Sequence, residues 1–343
     1  MKHIREVITR RGYARAGLIG NPSDGYFGKT ISILIKNYFA EIVLTESREL
    51  EILLTPKDHT TFKSIAALAE DVKFYGYYGG IRLIKAAIKR FHDHVTAEGI
   101  HIPDWNFTIK YRTDIPIMVG MAGSSAIITA TMRALTRFYN VTIPDEVLPT
   151  LILEVETKEL KIPAGLQDRV IQVYGGCCYM DFNYEHMQEY GHGRYVKLDI
   201  RKLPPLYVAY RADLSEGTEV FHSDIRERFN RGDPTVVAAM REWADITDRF
   251  RRAMETGDRA GMNALINRNF DLRASIYNIS KDNWEMVNLA RNVGASAKFA
   301  GSGGAIVGSY ADARMFRNLE EAFRPAGIKV IKPDIRGFNA QHM

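Results

Sequence analysis

The chain has 343 residues, more than one hydrophobic core usually organises, so two domains are expected with room for a cleft between them. Charged residues make up 25% and hydrophobic ones 46%, proportions that exclude a disordered or fibrous protein. The net charge of +5 comes from interleaved signs without a basic stripe or reader motif, so nucleic acid is not an expected partner.

Residues 13–55 are rich in β-branched and aromatic side chains, and predict four closely spaced strands at Tyr13 to Ile19, Thr30 to Ile35, Phe39 to Thr45 and Leu50 to Thr55. Over 79–98 the apolar residues Ile81, Ile84, Ile88, Phe91 and Val95 step by three and four, the spacing of one helix face. A strand at Phe107 to Tyr111 then runs through a Gly/Ser turn into a helical pattern carrying Ile127, Thr131, Leu135 and Phe138. Helices follow at 144–160 and 167–174, with a strand at 176–182 and a polar loop from Asn183 to Arg194. Within that strand the neighbours Cys177 and Cys178 point to opposite faces and cannot bridge each other, which implies a reducing compartment.

The second half opens with a strand near Leu206 to Arg211, then a helix whose face carries Val236, Met240, Trp243, Thr247, Phe250 and Met254. Strands at Ala297 to Phe299 and Ala305 to Gly308, a helix at 311–323 and a strand at Ile328 to Ile331 complete an α+β pattern. The expected division is a first domain over 1–190, a second over 191–336, and a frayed tail over 337–343. No apolar run approaches the roughly 20 residues of a membrane span, and Met1 to Arg5 lacks the apolar core of a signal peptide, so a cytoplasmic protein without a membrane partner is expected.

Three constellations carry chemistry. The first is Pro116 to Ala126, in which Gly120, Met121, Ala122, Gly123, Ser124, Ser125 and Ala126 join a strand to a helix. Small residues let backbone approach an anion, and the helix start offers unpaired N–H groups, although a plain turn with a serine cap reads the same way in isolation. The second, Lys298 to Ala305, holds Gly301, Ser302, Gly303 and Gly304 between apolar pieces, too many glycines for a simple hairpin and a sign of close approach by another group. The third is acidic: Glu156 on a helix and Asp168 in Gly165-Leu166-Gln167-Asp168-Arg169, a metal ligand and a proton acceptor or two exposed helical acids. Gly28-Lys29-Thr30 has the ending of a Walker loop, but Ser23 stands where that motif needs glycine and a strand follows where it needs a helix. His92 and His94 are two apart on a helix and share no metal.

In this order the pieces resemble the GHMP kinase superfamily, whose first motif has its counterpart in Arg15 to Asp24, its phosphate loop in Pro116 to Ala126 and its third motif in Lys298 to Ala305. Within it, Gly17 to Ser32, Gly76 to Gly80, Gly165 to Arg169 and Leu203 to Leu206 are similar to the glucuronokinase family. The resemblance implies an N-terminal mixed-sheet domain, a C-terminal ferredoxin-like domain, and ATP with Mg²⁺ in the cleft between. It implies Asp168 and Arg15 as catalytic residues, Glu156 and Ser125 as metal ligands, and loop residues Gly120 to Ala126 with Gly301, Ser302 and Gly303 as nucleotide contacts. Asp24, Asn21 and Arg169 then fall at the sugar, and Arg169, Arg82 and Lys29 are candidate cations for a sugar acid. Ala122 departs from the family's usual glycine or serine, and the loop is one residue longer than the mevalonate kinase form. The implied reaction is phosphorylation of D-glucuronate at its anomeric hydroxyl. The alternatives are another aldose or a heptose phosphate as acceptor, or a non-catalytic ATP- and sugar-binding sensor, which loss of the acidic pair would mark.

Overall fold

The protein is described by a computed structural model over residues 7–53, 79–211 and 225–337. Its first sheet is organised by one long strand. β1 (Ile8–Ile19) runs antiparallel to β2 (Lys29–Ser47), and β2 is long enough to take two further partners in succession on its other edge. β4 (Asn106–Thr113) pairs with its C-terminal half, and β5 (Cys177–Asp181) with its N-terminal end. β3 (Glu51–Ile52) and β6 (Arg194–Leu198) close the order β3-β4-β2-β5-β6, with β1 beside β2.

The two strands expected at 30–35 and 39–45 are therefore one. The register with β1 jumps from Tyr13↔Phe39 to Ala14↔Ile35, so the polar pair Lys36-Asn37 forms a bulge that bends β2 without ending it. Of the expected Leu50 to Thr55 strand, residues 54 and 55 lie outside the described residues, as do Gly76 to Tyr78 and the tail beyond Gly337.

Helices cover this sheet on their apolar faces. α1 (Gly80–Ala97) buries Leu83, Ile84, Ala87, Phe91 and Val95 and packs on α2 (Gly123–Tyr139), which lies across β1 and β2. Gly12 permits that contact, because a Cβ there would sit 2.0 Å from the Ala126 carbonyl oxygen. α3 (Leu148–Glu154) continues into a π turn at Val155–Glu159, and α4 (Gln167–Tyr174) leads to β5. The expected loop at 183–194 instead contains α5 (Tyr184–Tyr190), capped by the Asn183 side chain and ended by Gly191 in the left-handed region. Cys177 and Cys178 are both free and buried, in cores on opposite sides of β5.

β7 (Leu206–Tyr210) begins a second sheet of order β10-β7-β9-β8, made with β8 (Lys298–Phe299), β9 (Ala305–Ser309) and β10 (Lys329–Ile331). Since β6 pairs with β5, a division at residue 190 separates β6 from the sheet it belongs to. Against the first sheet runs α6 (Pro234–Thr256), started by Asp233, whose carboxylate accepts from Thr235 and Val236 N–H, with Pro234 in the first turn. It packs on β2, and its Trp243 is fully buried with the indole N–H donating to the Asn269 carbonyl at 3.2 Å. Burying a side chain of that kind contributes about 1.5–3 kcal/mol. α7 (Arg259–Ile276), α8 (Lys281–Asn292) and α9 (Ala313–Phe323) complete the second half. No described helix is long and apolar enough to cross a membrane.

Candidate active site

Arg15 is the point where the three constellations meet. It lies on β1 with 5% of its surface exposed, and all its partners come from far along the chain. Nε donates to Asp168 Oδ1 at 2.5 Å and Nη2 to Oδ2 at 2.8 Å, a forked charge-assisted pair, while Nη1 donates to the Gly120 carbonyl at 2.5 Å and to that of Ala300 at 3.2 Å. Backbone bonds reinforce the junction: Arg15 N–H donates to Met121 O and Gly17 N–H to Ala300 O. One buried guanidinium thus fixes both glycine turns against one carboxylate.

The two turns touch each other directly. A Cβ on Gly120 would meet Gly303 O at 2.7 Å, and one on Gly301 would meet Gly120 O at 2.3 Å. The close approach expected of the second turn is therefore an approach to the first. In the first turn Gly120 and Ala122 both have positive φ, +68° and +63°. Ala122 occupies the left-handed conformation that glycine adopts freely, so its departure from the family pattern strains the backbone by about 1–2 kcal/mol. Gly123 has only Ile115 near its missing Cβ, at 3.4 Å, so the glycine this turn requires is Gly120.

Ala122 is also the N-cap of α2 and supplies no side-chain cap, which leaves the first-turn amides directed at whatever sits before the helix. Ser125, expected at the metal, is buried and donates its hydroxyl to Ala122 O at 3.1 Å. Ser124 is the more open of the two serines. The amide of Gln172 holds the turn from below, donating to Tyr13 O at 2.9 Å and to Ala122 O at 3.1 Å.

Asp168 sits in the first turn of α4 with 15% of its side chain exposed, within reach of a ligand. Beside it, Asp24 on the 3-10 turn Ser23–Tyr26 accepts from the Gln167 amide, Nε2 to Oδ1, at 3.2 Å. Asp24 is pushed up to about 7, first by burial and then by the Asp168 charge, against the Gln167 backbone bond and the cations Arg15 and Arg169. Gly165 lets it in, since a Cβ there would lie 2.3 Å from Asp24 Oδ2.

Other expected site residues are already engaged. Arg169 is buried in an ion pair with Glu156, and also reaches Gly165 O at 2.8 Å and Asp168 Oδ2 at 3.3 Å. The Asn21 amide oxygen accepts from Lys298 Nζ. Arg82 donates to Leu160 O at 3.3 Å on the surface. Lys29 pairs with Asp248 at 2.7 Å and opens β2, a strand where a Walker loop would open a helix. Among the described residues no three His, Cys, Asp or Glu side chains converge as a ready metal site.

Three contributors had no role in the sequence reading. Lys298, buried, donates to Gly17 O at 2.5 Å, Asn21 Oδ1 at 2.5 Å and Phe299 O at 2.7 Å, locking the second turn to β1. Burial lowers its pKa well below the usual lysine range, with Arg273 and Arg15 adding to the effect. Gln167 bridges Asp24 to Ser32. Arg273, on α7, donates to Gly301 O at 3.1 Å and Ser302 O at 3.2 Å. A charged residue opening an otherwise apolar strand was the available signal for Lys298; the other two had none.

Residues 82–176 match the family model described as GHMP kinases N terminal domain. The chain is 44% identical over 335 residues to "Probable glucuronokinase 2" of Arabidopsis thaliana, covering 95% of this chain and 91% of that protein. It is 42% identical over 329 residues to "Glucuronokinase 1" of the same plant, covering 94% and 90%. Among solved structures, the Methanococcus jannaschii mevalonate kinase superposes with a TM-score of 0.70 at 18% identity, covering 97% of this chain and 99% of that one, a likeness of fold. With two relatives matched at this identity along nearly their whole length, the chain belongs to the GHMP kinases, in the family of the glucuronokinases.

Proposed function

We propose that this chain transfers the γ-phosphoryl group of ATP to the anomeric hydroxyl of D-glucuronate, giving D-glucuronate 1-phosphate and ADP. Family membership makes it a phosphotransferase acting on a sugar hydroxyl. The observation that carries the reading is the Asp168–Arg15 pair set against the junction of the two glycine turns, which supports a proton acceptor next to a phosphate cradle.

In this reading the amides of Gly120 to Ser125 and the start of α2 neutralise the donor phosphates, with Gly301 to Gly303 behind them. Asp168 takes the proton of the attacking hydroxyl as its oxygen bonds the γ-phosphorus and ADP leaves; Arg15 holds the carboxylate in one orientation and faces the charge that develops. Asp24, pushed up to about 7, donates to or accepts from a ring hydroxyl. Ser124 offers a hard oxygen donor of the kind Mg²⁺ takes, its openness favouring it over the engaged Ser125, while Glu156 would have to leave its buried pair with Arg169 to join it. Mg²⁺ when bound supplies charge neutralisation to the β- and γ-phosphates. Two free, buried thiols agree with a cytoplasmic location.

ADP release measured over D-glucuronate, D-galacturonate, D-galactose, D-glucose and heptose phosphates tests the assignment. Release is expected with D-glucuronate far above the neutral sugars; release only with a neutral aldose or a heptose phosphate overturns it.

A further inference from the structure

Of the cations that the sequence offered for a sugar acid, Arg169 is paired with Glu156 and Lys29 with Asp248, and Arg82 is exposed on the surface. Arg15 is held by Asp168. Arg273 differs from them. It is 3% exposed, forms no ion pair among the described residues, and donates only to two neutral carbonyls, Gly301 O and Ser302 O, while its Nε has no acceptor. Burial without a counter-charge disfavours its charged form, with the Tyr277 and Tyr26 hydroxyls opposing the shift. A guanidinium stays protonated in proteins, so among the described residues it is a buried positive charge short of an anion.

The surroundings suit an anion. Arg273 lines a small cavity of ≈ 10 Å³ with Asn278, Ser280, Asn283 and Ser302, polar groups around the start of α8. That space holds about one water-sized group, so it admits the carboxylate end of a ligand and not a sugar ring. The guanidinium plane is held between the rings of Tyr277 and Phe299, at 4.9 and 5.1 Å, which fixes its fork before any ligand arrives.

The cavity adjoins the acceptor side of the site. Ser302 borders Gly120, and Tyr277 lies within electrostatic reach of Tyr26 and of Asp24, which share one 3-10 turn beside Asp168. We infer that Arg273 receives the carboxylate of the acid sugar and is the residue that selects a uronate over a neutral aldose. This rests on the proposed uronate kinase activity and adds to it the group that reads the acid. A carboxylate meets the planar fork in the geometry guanidinium recognises best, and supplies the missing counter-charge.

The test compares D-glucuronate with its uncharged isostere D-glucuronamide as acceptors, in the wild type, Arg273→Gln and Arg273→Lys, with the KM for ATP measured alongside. The wild type is expected to prefer the acid. Arg273→Gln is expected to raise the KM for the acid at least 30-fold while the amide's KM and that of ATP change less than 3-fold; Arg273→Lys, charged but without the fork, should restore part of the preference. Should the glutamine variant fail to fold, the lysine variant alone must raise the KM for the acid about 10-fold with the amide's unchanged. Equal losses on both acceptors, or a raised KM for ATP, overturn the assignment and make Arg273 a structural or phosphate residue. A wild type that phosphorylates only acceptors without an acidic group removes the activity reading itself, and the Arg273 role with it.

Discussion

The two glycine turns look alike in the sequence and share the Arg15 guanidinium, but only the first opens a helix. The turn at 120–126 exposes N–H groups: its N-cap is an alanine with no capping side chain, and the amides of α2 point outward. Both turns give a carbonyl to Arg15, Gly120 O and Ala300 O, and the turn at 300–304 gives two more, Gly301 O and Ser302 O, to Arg273. The first turn is built to receive negative charge from a ligand, and the second to anchor the positive charges that surround the ligand. Glycine content alone therefore does not identify a phosphate loop; what the backbone leaves unpaired does.

The largest effect belongs to the carboxylate between the turns. Asp168→Asn keeps the size but removes the proton acceptor, and kcat is expected to fall by about 10²–10⁴ with the KM for ATP little changed, measured by steady-state ADP release. Near-wild-type turnover would separate catalysis from the junction altogether.

The comparison of the turns is sharpened by adding one methyl group to each. Gly301→Ala drives a Cβ to 2.3 Å from Gly120 O, backbone against backbone, and should lower stability by about 1–3 kcal/mol and displace Arg15. Gly123→Ala meets only Ile115 at 3.4 Å and should change stability by less than about 1 kcal/mol. Thermal melting of the two variants side by side shows whether the contact between the turns is as close as described.

Asp24 gives a pH signature. Its carboxyl is at about 7 in the folded protein and 3.8 without the fold, so the folded state holds the proton more tightly between those values. Its contribution to stability is present in full below pH 3.8 and is lost as the pH rises through about 7. Asp24→Asn should match the wild type near pH 4 and exceed it at pH 8 by up to roughly 4 kcal/mol, read from melting temperatures across the range. A variant less stable than the wild type at pH 8 would mean that the ionised carboxylate is a net stabiliser.

The smallest effect is expected at the Walker-like ending. Lys29 is partly exposed and paired with Asp248 at 2.7 Å, so Lys29→Ala should cost about 0.2–1 kcal/mol and leave the KM for ATP within about 2-fold. A lost nucleotide affinity would return Lys29 to the phosphate site.

Much of this site was legible because its pieces are local. Strand, glycine turn and helix at 106–139 can be read from spacing, and Arg15, Asp168 and both turns lie in short segments that resemble the family. What was not legible arises from contacts across long sequence separations. β2 read as two strands because Lys36-Asn37 imitates a turn, and only the pairing with β1 shows a bulge. α5 was missed because it buries none of its residues and so carries no apolar period, although Asn183 and Gly191 already marked its ends. Arg273 gave no signal at all: it sits among other arginines on α7, and only folding places it under the second turn. The reverse holds for Asn21, whose motif position suggested the sugar while its amide oxygen serves Lys298.

The central claim is the transfer of phosphate to the anomeric oxygen of a sugar acid, and ³¹P NMR of the product formed from ATP and D-glucuronate tests it most directly. A phosphate signal coupled to the anomeric proton is expected, appearing in step with ADP. Phosphate on any other carbon, or ADP released with inorganic phosphate alone, would contradict it.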